Sequence, residues 1–168
     1  MSHRPVYLVV YKSRVFAAHW TMWIPDYDTN TQATANMGKY INVRGDPRNG
    51  FVHEFVRNHN MNQCTSPKEI IFLGWTDAAN VAVRSSGTNC YADTEATDRL
   101  EEGALYVPAP GPSLRSACSS SSVRFQGSRS RVQLQNCQTW MTELVGKLVE
   151  NGLLDARANT IIANAPKN

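Results

Sequence analysis

Hydrophobic and polar positions divide the chain into a strand-patterned first half and a helix-patterned remainder. Residues 6–11 (VYLVVY) form a continuous β-branched and aromatic run, as expected of a strand buried on both faces. Residues 16–24 (FAAHWTMWI) predict a second strand after the polar turn Lys12-Ser13-Arg14. Pro25, which cannot donate to a ladder, is expected to stop it. Residues 26–37 are rich in Asp, Thr and Asn and read as a loop. Residues 38–44 and 51–57 alternate apolar and polar around the turn signal GDPRNG, which predicts an antiparallel pair. Residues 70–75 (IIFLGW) supply a fifth short strand. Without strand–helix alternation, the sheet is expected to be antiparallel and the fold class α+β.

Helical spacing appears later. Ala96, Leu100 and Ala104 recur every four residues, with acidic residues early, and predict a short helix over 94–105. The segment PAPGP at 108–112 ends it. Residues 113–130, rich in serine from Ser116 on, read as a mobile surface loop rather than a linker, so the chain is expected to be one domain over 1–168. A second helix is expected over about 137–149. There Trp140, Leu144 and Leu148, flanked by Met141, Val145 and Val149, make an apolar stripe, with Asn136 as N-cap and Gly152 as stop.

Composition narrows the function classes. The balance of 17 Lys and Arg against 14 Asp and Glu is too even to mark a nucleic-acid surface. Cys64, Cys90, Cys118 and Cys137 contain no CxxC spacing and have no histidine in ligand register, so no metal or other cofactor is expected. No run approaches the roughly 20 apolar residues that span a bilayer. The first residues lack the apolar core of a signal peptide, and the last carry no lipidation motif. The expectation is a soluble cytoplasmic protein with free thiols.

Cys137 stands out because it opens a helix, where free N–H groups and the dipole favour a thiolate and could hold an oxyanion. Position alone is equally compatible with a small buried residue capping the helix. His19, mid-strand in AAHW, could act as general base if Cys137 faced it, and is otherwise a core histidine. Asn42, in YINV, could orient that imidazole, although a strand Asn by default faces water. His53 and Asp46 are rivals for the orienting role; His53 is expected to point outward and Asp46 to serve the turn. Gln135, Gln138 and Tyr11 are unranked candidates for an oxyanion hole. Arg124, Arg129 and Arg131 form a loose basic cluster, and the four tryptophans read as core or pocket wall.

His19-Trp20 followed by Ile24 resembles the His-Trp strand of the lecithin retinol acyltransferase family, and Asn136-Cys137-Gln138-Thr139-Trp140 resembles that family's Asn-Cys-Glu-His-Phe helix start. That family is a circularly permuted branch of the NlpC-type papain-like superfamily, and the histidine-first order matches it. The phrases INVRGDPRNGF, IIFLGW, VPAPGPSL and NCQTW also resemble a group of short fungal proteins, a likeness covering roughly residues 7–154. The resemblance implies a permuted papain-like fold with Cys137 as nucleophile, His19 as base and Asn42 as orienter. Asn42 stands where the family usually has a second histidine, and Gln138-Thr139 replaces Glu-His.

The implied activity is acyl transfer or hydrolysis through an acyl-Cys137 intermediate, on a small-molecule or peptide substrate. The alternatives are a catalytically inactive domain that binds a ligand or protein in its cleft, and a transferase acting on aminoacyl-RNA.

Overall fold

A computed structural model describes residues 2–28, 30–83, 87, 89–113 and 135–168. The serine-rich segment, Cys118 and the Arg124, Arg129 and Arg131 cluster lie outside the described residues. Six strands build one sheet: β1 (His3–Tyr11), β2 (His19–Asp28), β3 (Ala33–Asp46), β4 (Gly50–Asn60), β5 (Lys68–Asp77) and β6 (Tyr91–Asp93). Their order is β5-β1-β2-β3-β4-β6, and every pairing is antiparallel, as the sequence pattern implied. Three helices follow, α1 (Arg99–Leu105), α2 (Cys137–Glu150) and α3 (Arg157–Ala163). None is long and apolar enough to cross a membrane.

Alternation along the strands sorts side chains to two faces. Leu8, Val10, Trp20, Met22, Ile41, Val43 and Phe55 share one core with the helix residues Leu100, Trp140, Leu144, Leu148 and Ile162. Val9, Trp23 and Tyr40 face the other way and cluster with Met61. The helices therefore cover one face only: α2 lies on β2 and β3, α3 on α2 and β5, and α1 on α2 and β4.

Two strand boundaries depart from the sequence reading. Val15 and Phe16 are exposed, so β2 begins at His19 rather than at residue 16. Pro25 does not end it: β2 continues to Asp28 through a register shift between Pro25 and Tyr27, the irregularity at which a strand tolerates proline. Its partner β3 likewise starts at Ala33, inside the segment read as loop. The short first helix begins five residues later than expected, where Asp98 caps it by accepting from the Glu101 N–H at 3.1 Å. The cap and stop expected for α2 are present. Asn136 accepts from the N–H groups of Gln138 and Thr139. Gly152, at φ 70°, lets the Leu153 N–H turn back to the Leu148 carbonyl at 2.8 Å.

Candidate ligand-binding site

The residues singled out by sequence cluster at one end of the sheet, but on different sides of it. Cys137 opens α2 and is 8% exposed, packed in the same core as Ala18 and Trp20. Its thiol points to the Ala18 carbonyl at 3.9 Å. Burial raises the thiol pKa, against the opposing pull of the N–H groups of Trp20, Cys137 itself and Gln138. The positive end of the helix is thus outweighed by desolvation, which favours the protonated thiol.

His19 is the next residue along β2 from Ala18, and alternation sends its ring the opposite way. It pairs with Tyr11, stacks on that ring at a centroid distance of 6.3 Å, and its Nε2 lies 3.2 Å from Thr21 Oγ1. Tyr11 belongs to the face turned away from α2. Burial lowers the His19 pKa, partly offset by the Glu54 carboxylate. Asn42 shares this second face and is buried; with its amide nitrogen turned toward Glu54 it donates to Oε2 at 3.2 Å and to the backbone carbonyl at 3.1 Å. Hence the structure groups His19, Thr21, Asn42 and Glu54 on one face of the sheet and Cys137 on the other.

The rival residues settle similarly. His53 does not point outward; it lies on the helix side, with Nε2 2.8 Å from the Val107 carbonyl and its ring edge-on to Trp140. Asp46 serves its turn, accepting from the Arg48 N–H at 2.8 Å and the Asn49 N–H at 3.0 Å. The Gln138 amide donates to Ala18 and Lys167 carbonyls at 2.8 and 2.9 Å, which ties the last residues of the chain to the start of β2. Gln135 is exposed and accepts from the Ser113 hydroxyl at 3.4 Å, and the Tyr11 hydroxyl pairs with that of Tyr40 at 2.6 Å. Of the thiols with a shifted pKa, the one lowered is Cys64. Its partial burial is outweighed by the nearby Tyr11 hydroxyl, Ser66 and the Lys68 ammonium.

At the other end of the strands is a cavity of about 170 Å³ that sequence reasoning missed. Arg4 of β1, Lys39 of β3 and Arg57 of β4 line it together with Asp26, Asn58, Tyr91 and Asp93. Behind them α1 presents two acids. Lys39 pairs with Asp98 and, at 3.0 Å, with Glu101. Arg57 grips both Glu101 oxygens, at 2.5 and 3.0 Å, and lies 3.6 Å from Asp93. Arg4 donates to the Pro25 carbonyl at 2.7 Å and lies 3.5 Å from Asp26. Glu101 is wholly buried; the resulting desolvation is overcome by Arg57, Lys39 and the Thr97 N–H, and its pKa falls to about 2.

Among the described residues that line this cavity, three buried side-chain atoms have no hydrogen-bond partner, Arg4 Nε, Arg57 Nε and Asn58 Oδ1, and of these Arg57 Nε faces Asp93 Oδ2 at 3.6 Å. Asn58 is 3% exposed, and its amide nitrogen is engaged by the Asn89 carbonyl at 3.2 Å. Its backbone is left-handed, at φ 53°, a conformation asparagine tolerates better than most residues. The sequence does carry a signal for the cavity. Lys39 and Arg57 fall two residues from the buried Ile41 and Phe55 on their strands, so two charges occupy the core-facing phase.

The family model described as "Family of unknown function (DUF6540)" matches residues 6–155, and the chain belongs to that family. No curated protein and no solved structure matches the chain.

Proposed function

We propose that this protein is a small-molecule-binding module whose ligand occupies the cavity lined by the ends of β1–β4, by β6 and by residues 81–83. The observation that carries this reading is the cavity of about 170 Å³ itself, where the polar Arg4, Lys39, Arg57 and buried Asn58 stand beside the apolar Ile24 and Val81. We read the frame as a permuted papain-like one put to non-catalytic use, with the histidine strand preceding the cysteine helix. The opposed faces of Cys137 and His19 support that use, since a thiol without a proton acceptor in reach is a poor nucleophile.

A screen of small polar fragments read by ¹H–¹⁵N NMR tests the reading. The expected result is that binders perturb the amides of residues 38–39, 57–58 and 91–93. Perturbation confined to residues 18–20 and 136–138, together with an acyl adduct on Cys137 after incubation with p-nitrophenyl acetate, would overturn it in favour of acyl transfer. That second reading keeps one favourable feature, the N–H groups of Trp20 and Gln138 beside the sulfur.

A further inference from the structure

We infer that this protein pairs with a second copy of itself through β5, which gives no residue to the cavity, so the pairing stands apart from the binding role. The two β5 strands run antiparallel about a two-fold axis that passes through the sheet at Phe72. β5 ends the sheet, and its outer side meets no strand among the described residues. It is ten residues long and presents Ile70, Phe72 and Trp75, each 41–47% exposed. Edge-on ring contacts at 5.5–5.6 Å continue this apolar surface into Tyr7 and Tyr27. Edge strands are ordinarily kept short or guarded by charge or proline. Here the charged residues Lys68, Glu69 and Asp77 stand only at the strand's two ends, and residues 70–76 hold no proline. At the opposite edge, β6 has three residues.

The pattern along β5 selects a second copy as the occupant. Beside β1, Tyr7 pairs with Phe72 and Val6 with Gly74, so Leu73 and Gly74 share one position as a bulge. With that position counted once, a copy centred on Phe72 sets Ile71 opposite Leu73 and Ile70 opposite Trp75. Further out, Glu69 meets Thr76 and Lys68 meets Asp77. Both members of every pair then lie on the same face of the sheet, because Ile71, Leu73, Glu69 and Thr76 share the phase of Val6, Leu8 and Val10. A slip of one residue would oppose the two faces throughout. No like charges stand opposite each other in this register, and a cation meets a carboxylate at both ends. A Cβ built on Gly74 would meet nothing within 4 Å, so a neighbouring backbone can approach the bulge. The same patch serves both copies, and the contact closes at two.

Sedimentation velocity of the full chain from about 1 to about 200 µM tests the pairing, with a rise from monomer to dimer mass expected. Phe72→Lys would set two cations opposite each other at the axis and should weaken association about tenfold. Phe72→Cys supplies a second measurement if the lysine variant melts early. Facing positions of an antiparallel pair lie about 4.5–5.5 Å apart at Cα, within disulfide reach. Diamide should therefore join two copies of that variant through position 72, as peptide mapping would show. Val52→Cys, at an exposed position of β4, should give no such link. Monomer mass throughout the range would overturn the inference and leave the edge to a strand of another protein. Growth beyond two copies, or a dimer that links at position 52 and not at 72, would overturn the two-fold register.

Discussion

A cysteine's place in the sequence and its reactivity come apart in this protein. Cys137 occupies the position that usually lowers a thiol pKa, yet burial against Ala18 and Trp20 raises it, whereas Cys64 is half-exposed and lowered. Iodoacetamide at neutral pH is therefore expected to alkylate Cys64 at least tenfold faster than Cys137 in the native chain, as peptide mapping would show. Equal rates would mean that the core over Cys137 opens readily. The helix start was legible because Asn136 is a strong cap. The side chosen by His19 was not, because residues 16–24 are apolar in both phases and such a run conceals which phase meets the helices.

The energetics of the elements centre on α1. Seven residues are too few to hold a helix by themselves, and this one is fastened through Glu101 to Arg57 of β4 and Lys39 of β3. The folded pKa of Glu101, about 2, lies below its ordinary 4.5, so its contribution is complete above about pH 4.5 and is lost as pH falls through the folded value. That difference corresponds to on the order of 3 kcal/mol. Glu101→Gln should destabilise the chain by about that much at pH 7, since Arg57 and Lys39 lose a buried counter-charge. Its stability should also fall less steeply than wild type between pH 5 and pH 2 in urea titrations. Gly38 makes a second demand. A Cβ there would stand 2.4 Å from the Ile24 carbonyl oxygen and 2.6 Å from the Trp23 ring. Strand pairing was readable in this region from the alternation on either side of Asp46. The α1 contacts were not, because ion pairs joining residues about 40–60 positions apart leave no local pattern.

Across the whole molecule, the sequence revealed the antiparallel sheet, its cysteine-headed helix and that helix's caps, while β6, α3 and the cavity emerged only from the fold. Each missed piece is short or assembled from distant residues: β6 has three residues, and the cavity draws on β1, β3, β4 and β6. A ligand that binds only the folded cavity should stabilise the entire chain. At a free concentration 100 times its Kd, the gain is about 2.7 kcal/mol, readable as a higher midpoint in thermal melting. A ligand seen by NMR that left the melting curve unmoved would bind the unfolded chain as tightly as the folded one.

The grip of Glu101 has one more consequence. Because the same carboxylate that anchors α1 also grips the guanidinium of Arg57, the helix and one wall of the cavity share a fastening, beside the Lys39–Asp98 pair at the helix start. Prising the helix away would take the Glu101 carboxylate from Arg57 and Lys39 at the same moment. A disturbance of seven helical residues would therefore be felt at two strands of the sheet and at the wall of the cavity.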